Sequence, residues 1–224
     1  MRPYVLLSVA TSVDGHVDDA SDARLVLSNE ADLDRVDEVR AGCDAILVGA
    51  STVRRDDPRL VVRAERLRAD RVARGRPADP LKVTITTSGE LDPAARFFRT
   101  GESGRLVYCA DATAGALGSR LGGLADVVAG GPGAVDLPWL LADLHGRGVR
   151  KLLVEGGPAV AGAFLAAGLV DELHLVIAPF FVGDPAAPRF TVPGSTPYGP
   201  ARPMTLAEVR RLDGVVLLRY VFGG

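Results

Sequence analysis

Apolar residues fall along this chain in short strand-like runs, most of the early ones continuous, separated by polar, glycine-rich or arginine-rich stretches. The runs are "PYVLLSVAT" (3–11), "DAILVG" (44–49), "LKVTITT" (81–87), "GRLVYCA" (104–110), "ADVVAG" (125–130), "KLLVEG" (151–156), "DELHLVIAPFFVG" (171–183) and "GVVLLRYVF" (214–222). Strands buried on both faces of a parallel sheet read this way, whereas half-buried strands alternate. Between them the period changes to that of a helix. "SNEADLDRVDEVRAG" places Leu33, Val36 and Val39 on one face, with Ser28 or Asn29 as N-cap, acids in the first turn and Gly42 at the end. "PWLLADLHGRG" opens on a proline, which a first helical turn tolerates, and closes on glycine. Strands alternating with helices predict an α/β fold with a mainly parallel central sheet and helices on both faces. No helix pattern separates the last two runs, which predicts an antiparallel C-terminal hairpin.

Composition narrows this picture. The 224 residues are 47% apolar with a formal net charge of −2, which suits one domain spanning 1–224 and offers no nucleic acid or anionic membrane a basic surface. No apolar run reaches the roughly 18 residues needed to span a bilayer. The start, "MRPYVLLSVATSVDGHV", places one arginine before an apolar run, yet the run is short, β-rich and passes into an Asp14-Gly15 turn, so it reads as a first strand. The two cysteines, Cys43 and Cys109, sit inside apolar patterns, and His16, His145 and His174 lack ligand spacing. Unpaired thiols, no metal and a cytoplasmic location are expected.

Candidate chemistry sits in the loops after apolar runs, since open α/β sheets bind ligands at the carboxyl ends of their strands. "SVDGHV" carries a turn signature that is more often structural than catalytic. "VGASTVRRDDPRLVVR" offers Ser51, Thr52 and the adjacent Asp56 and Asp57 before a proline, a unit that equally marks a helix end. Residues 54–76 contain nine arginines against four acids. They read as a solvated face, or as the source of one or two phosphate-binding cations. "LLVEGGPAVAGAFL" (152–165) runs a strand through Glu-Gly-Gly-Pro into a helix of small residues. Such a helix start presents unpaired N–H groups and a positive dipole end to a phosphate. It differs from the G-x-G-x-x-G dinucleotide fingerprint, and Glu155 reads as either a turn acceptor or a ligand-facing carboxylate.

Taken together, "SVATSVDGHV", "VRAGCDAILVGASTVRRDDPRLVVR" and "KLLVEGGPAVAGAFLAAGLVDELHLVIAP", in this order and spacing, resemble the pyrimidine reductases of riboflavin biosynthesis. That family has a dihydrofolate-reductase-like fold and occurs alone or as the C-terminal half of a deaminase–reductase. The resemblance covers residues 3–183 well and the tail loosely. The zinc-ligand motif of the deaminase is missing, so a stand-alone reductase is expected. Two-domain bacterial relatives carry a Gly-x-Ser-x-Trp element before the first helix. The corresponding "SDARLVLSNEAD" has no tryptophan and places Arg24 near the serine position, closer to the stand-alone form.

The resemblance implies NADPH-dependent reduction of a ribosylamino-pyrimidine 5′-phosphate to the ribitylamino compound. The substrate is 5-amino-6-ribosylamino-uracil phosphate or its 2,5-diamino-pyrimidinone counterpart. Carried over by motif position, Ala10, Thr52, Asp56, Thr87 and the run Gly157, Pro158, Ala159, Val160, Ala161, Gly162 and Ala163 contact NADPH. Arg40, Leu60, Arg63 and Glu155 face the pyrimidine nucleotide, with Arg40 and Arg63 as candidates for its phosphate. Asp56 and then Glu155 are the candidate acids. Ser28 and Asn29 suit substrate contact but suit capping better. A homodimer is implied, formed partly by the region of "DELHLVIAPFFVG". Two other readings stay open: a paralogous reductase of dihydrofolate or another pteridine or pyrimidine on the same fold, and a non-catalytic dimeric binding protein.

Overall fold

The computed structural model describes residues 1–21, 25–190 and 196–223. In chain order the elements are β1 (Tyr4–Thr11), α1 (Glu30–Gly42), β2 (Ala45–Gly49), α2 (Ala50–Asp56), α3 (Glu65–Ala73), β3 (Leu81–Thr86), α4 (Arg96–Arg99), β4 (Arg105–Cys109), α5 (Asp111–Leu121), β5 (Asp126–Ala129), α6 (Leu137–Gly146), β6 (Lys151–Gly156), α7 (Pro158–Ala166), β7 (Glu172–Ile177), β8 (Thr205–Leu212) and β9 (Val215–Val221). The chain forms two compact units. One holds Met1–Pro3 and Asp37–Leu153, the other Tyr4–Val36 and Val154–Gly224.

In the first unit β2, β3, β4 and β5 pair parallel, in the order β5-β4-β3-β2. All five residues of β2 are buried, as are Val83, Leu106, Val107 and Tyr108 on its neighbours. These are the unbroken apolar runs of the sequence, and burial on both sheet faces explains their lack of alternation. The helices start and stop on local signals. The Asp136 carboxylate accepts from Trp139 N (3.1 Å) to open α6, and Gly122, at φ 54°, closes α5. Cys43 and Cys109 are both buried.

In the second unit β1 and β7 pair parallel, while β7–β9 and β8–β9 pair antiparallel. The mainly parallel α/β architecture with an antiparallel C-terminal hairpin is thus as expected. Three details differ. The run 171–183 is strand only over Glu172–Ile177. Ala178-Pro179 ends it, and the Asp14 carboxylate then ties down the main chain by accepting from Val182 N (3.1 Å) and Gly183 N (2.8 Å). The tight hairpin is β8–β9, turned by Asp213-Gly214, and β8 carried no apolar run because most of its residues are solvent-exposed. Finally, α1 does not bury its apolar stripe. Leu33 is 40% exposed, whereas Asp32, Arg35 and Asp37 are buried, because the strands beneath its first turns present Ser8 and His174 rather than apolar side chains.

Candidate active site

In the first unit, parallel register pairs Gly49 with Ile85, so the turn into α2 and the turn after β3 leave the same edge of the sheet. Thr52 lies half-buried on α2, Asp56 half-buried as its last residue, and Thr87 exposed directly after β3. The Thr86 hydroxyl accepts from Gly89 N (3.0 Å) and shapes that second turn. Past Asp56 the backbone enters the left-handed region twice without glycine, at Asp57 (φ 41°) and Leu60 (φ 48°). Asp57 is held by Arg96, whose N (2.6 Å) and Nε (3.0 Å) donate to its carboxylate.

The next segment is fastened residue by residue. Arg40 Nη1 donates to Val61 O (3.2 Å), Val62 N donates to Asp79 Oδ1 (2.9 Å), and Arg63 N and Ala64 N donate to the two oxygens of Asp37 (2.6 and 2.8 Å). Both acids are buried, and the Leu60 side chain is 2% exposed. The Arg63 side chain is 45% exposed, with Nε 3.9 Å from Asp37. Arg40, Leu60 and Arg63 therefore belong to one fastened segment. Elsewhere in the arginine-rich stretch, Arg71 is a buried clamp on Ala41 O, Cys43 O and Pro77 O (2.7–2.8 Å). Arg54 donates to Glu90 O (3.0 Å).

In the second unit, Ala10 on β1 lies opposite Val176 and packs against Val176, Val215 and Leu217. Glu155 is half-buried near the end of β6. Gly156 (φ 152°) and Gly157 (φ 78°, ψ 122°) turn the strand into α7, and Pro158 takes the first helical position. No side chain caps this helix, and the Ala161 N–H bonds to Gly157 O (3.0 Å). Ala159 and Ala163 are exposed and Val160 half-buried, whereas Ala161 and Gly162 are buried. The run 157–163 is therefore split, with its turn and first residues outward and Ala161-Gly162 packed inward. Arg24 lies outside the described residues.

The family model described as the RibD C-terminal domain matches residues 3–218. The chain belongs to this family. It is 38% identical over 188 residues to the 2,5-diamino-6-ribosylamino-4(3H)-pyrimidinone 5′-phosphate reductase of Archaeoglobus fulgidus, covering 84% of this chain and 85% of that protein. To the enzyme of the same name in Methanothermobacter thermautotrophicus it is 37% identical, covering 82% and 81%. Among solved structures, Acinetobacter baumannii RibD superposes over 100% of this chain with a TM-score of 0.81 at 25% identity, and the chain spans 59% of that protein. Relatives bearing the reductase name are oxidoreductases, and a reductase family of this kind draws on a nicotinamide cofactor. Among the described residues no helix is long and apolar enough to cross a membrane, and no cluster of ligating side chains could hold a metal.

Sequence reasoning missed a bonded polar cluster of this RibD C-terminal domain. In the second unit, Asp32 Oδ1 accepts from Arg35 Nε (2.7 Å), and Arg35 Nη1 lies 3.0 Å from His174 Nδ1. His174 Nε2 lies 3.0 Å from Glu172 Oε1, which is also 2.8 Å from Arg219 Nε, and the Tyr4 hydroxyl donates to Glu172 Oε2 (3.0 Å). An arginine can only donate, so His174 accepts at Nδ1 and carries its proton on Nε2, facing the carboxylate. The hydrogen bond from His174, joined by that from Tyr4, holds the Glu172 carboxyl down at about 2. Burial, then Glu172, pushes the Tyr4 phenol up to about 12. A signal was present: Glu172 and His174 are two apart in an otherwise apolar strand, hence on one face, and Asp32 and Arg35 are three apart on a helix.

Proposed function

We propose that this chain reduces the ribosyl group of a ribosylamino-pyrimidine 5′-phosphate to ribitylamino, with NADPH as reductant, in riboflavin biosynthesis. The names of its more similar relatives favour the 2,5-diamino-pyrimidinone substrate over the deaminated uracil. The observation that carries the reading is the Gly156-Gly157-Pro158 turn. Two glycines at positive φ leave room for close backbone approach, the N-cap Gly157 offers no side-chain cap, and the first-turn amides, which lack intrahelical partners, suit an anion. In the first unit, Thr52 and Thr87 offer hydroxyl donors at the carboxyl ends of β2 and β3. Helix-start amides suit a pyrophosphate, and neutral hydroxyls suit a sugar.

When bound, the nicotinamide supplies the hydride. The protein does the rest. Gly157 to Val160 would seat the pyrophosphate, and Ala10 would lie beside the nicotinamide. Arg63, assisted by Arg40, binds the substrate phosphate. Glu155 hydrogen-bonds the pyrimidine, and Asp56 supplies the proton that the amine nitrogen, still bonded to C1′, takes up as hydride adds to C1′ of the ring-opened imine. Asp56→Asn is expected to lower turnover at least tenfold while the folded far-ultraviolet spectrum persists. Near-normal turnover would remove Asp56 from the chemistry. The reading as a whole is tested by following nicotinamide absorbance with the two candidate pyrimidines and with dihydrofolate. Oxidation by dihydrofolate alone would favour the paralogue, and failure to bind any nicotinamide nucleotide would favour a non-catalytic protein.

A homodimer is part of this reading. On one face of the second unit, Val9, Leu175, Leu218 and Val209 form a row across four strands, beside a second row of Ile177 and Val216. Val9, Leu175, Ile177, Val216 and Leu218 remain half-exposed and Val209 is 60% exposed, and Ile177 and Val216 line an open cleft of about 400 Å³ together with Val13, Pro179 and Val215. A monomer exposing such a surface has reason to pair with a second copy.

A further inference from the structure

Asp37 is a buried acid that neither sequence pattern nor family resemblance assigned to the reaction. It is 3% exposed, and its two oxygens are shared between two consecutive main-chain amides, Arg63 N at 2.6 Å and Ala64 N at 2.8 Å. Adjacent N–H groups pointing the same way are a common way for proteins to hold a phosphate or carboxylate. Here the protein fills that pair with an anion of its own. The substrate phosphate therefore finds these amides occupied, and its recognition falls on side chains. The one side chain that springs from this anchored backbone and is still 45% exposed is that of Arg63. The next peptide back is fixed in the same manner, with Val62 N donating 2.9 Å to buried Asp79, itself 3.4 Å from Arg68.

We infer that Asp37, supported by Asp79, is a positioning residue for substrate binding: it locks the backbone of residues 62–64 so that Arg63 is held ready for the phosphate. This rests on the proposed reading of Arg63 as a phosphate ligand. Pre-set geometry matters because an arginine on a mobile loop must lose the freedom of that loop each time it binds. Asparagine at position 37 keeps the size of the side chain but replaces one acceptor by an N–H₂ donor, which opposes one of the two amides. The expected result for Asp37→Asn is at least a tenfold rise in KM for the phosphorylated pyrimidine with kcat within threefold of wild type. The dephosphorylated analogue should show little change in KM.

Hydrogen exchange provides the readout that does not depend on turnover. The amides of Arg63 and Ala64 should exchange at least tenfold faster in Asp37→Asn, while the strand amides of β2 and β3 keep their protection. Unchanged exchange at 63 and 64 would remove the lock. Faster exchange with an unchanged KM would show a lock without a role in binding, and would also overturn the inference. Equal KM increases for phosphorylated and dephosphorylated substrates would show general loosening and overturn it as well. A wild-type chain that oxidises NADPH with neither pyrimidine would overturn the functional reading instead, separately from the exchange result. Should Asp37→Asn fail to fold, Asp79→Asn loosens the adjacent peptide at Val62, so faster exchange is then read at the Val62 amide and the KM outcomes are the same.

Discussion

Lys82 gives the sharpest energetic prediction in the molecule. It is fully buried at 0% exposure on β3, and its ammonium donates to two main-chain carbonyls, Thr100 O at 2.6 Å and Phe97 O at 3.3 Å. Burial, joined by the charge of Arg105, pushes its pKa down from 10.5 to about 8. The folded protein therefore releases this proton more readily than the unfolded chain does. Below pH 8 both states carry the charge and the full penalty applies. Between pH 8 and 10.5 the unfolded chain holds more protons, so stability rises with pH. At 1.36 kcal/mol per unit, the difference of about 2.5 units amounts to about 3 kcal/mol.

Lys82→Met keeps an unbranched side chain of similar length and removes the charge. The two carbonyls are not abandoned, because Arg105 still reaches Phe97 O through Nε (3.4 Å) and Thr100 O through Nη2 (3.1 Å). Allowing about 1 kcal/mol for the lost hydrogen bonds, the variant should exceed wild type by about 2 kcal/mol at pH 7. That advantage should vanish and then reverse slightly by pH 10.5, as the wild-type penalty is relieved. Urea unfolding of both proteins at half-unit steps from pH 7 to 10.5 measures the gap directly, with other titrating groups cancelling in the difference. A gap that stays constant with pH would refute the reasoning, because it would mean that the lysine titrates alike in both states.

Three further outcomes are expected. Asn29 accepts from Asp32 N (2.9 Å) as the N-cap of α1 and donates to Leu212 O and Asp213 O (2.7 and 2.8 Å), so Asn29→Ala should cost about 2 kcal/mol and lower the thermal midpoint by about 6 °C. An unchanged midpoint would deny the cap. Glu172 is depressed from 4.5 to about 2, so its contribution, roughly 3 kcal/mol, is complete above pH 4.5 and disappears as pH falls toward 2. Glu172→Gln should flatten the acid limb of the stability profile, and a limb as steep as that of wild type would discard the linkage. Val209→Glu places a charge on an exposed position of the apolar face and should shift sedimentation at micromolar concentration from dimer to monomer. A wild-type protein that already sediments as a monomer would sink the dimer proposal.

The sequence was most legible where burial and backbone geometry agree. The short runs of β2, β3, β4 and β6 read as strands, and their ends were readable to within a residue or two. Asp136 before Pro138, and the double glycine before Pro158, carry their meaning locally. β8 was invisible because an exposed edge strand does not need apolar residues, and "TLAEVRRL" reads as well for a helix or a loop. The face of α1 was misread for a different reason. Hydrophobic periodicity assumes that helices bury apolar side chains, but Asp32, Arg35 and Asp37 are buried because each finds a charged or hydrogen-bonding partner, and the decisive ones lie far away in sequence, such as His174 for Arg35 or Arg63 N for Asp37. Partners separated by dozens of residues leave no local trace.

The stretch from Asp56 to Ala64 shows how such distant partners and local strain belong together. Asp57 and Leu60 adopt left-handed conformations that cost L-residues with side chains of order 1–3 kcal/mol each. A loop left to itself would relax. It does not, because Arg96 takes hold of Asp57, Arg40 of Val61, Asp79 of Val62, and Asp37 of Arg63 and Ala64. Four consecutive residues, Val61 to Ala64, are thus held by groups outside the stretch, and the Leu60 just before them is buried. A surface loop needing only to connect α2 to α3 has no use for so much fastening, and glycine at position 60 would have avoided the strain at no cost in length. The arrangement makes sense if the direction in which the Arg63 side chain leaves the backbone is itself the selected property, which is why the energy is spent on the backbone and the arginine is left half-exposed.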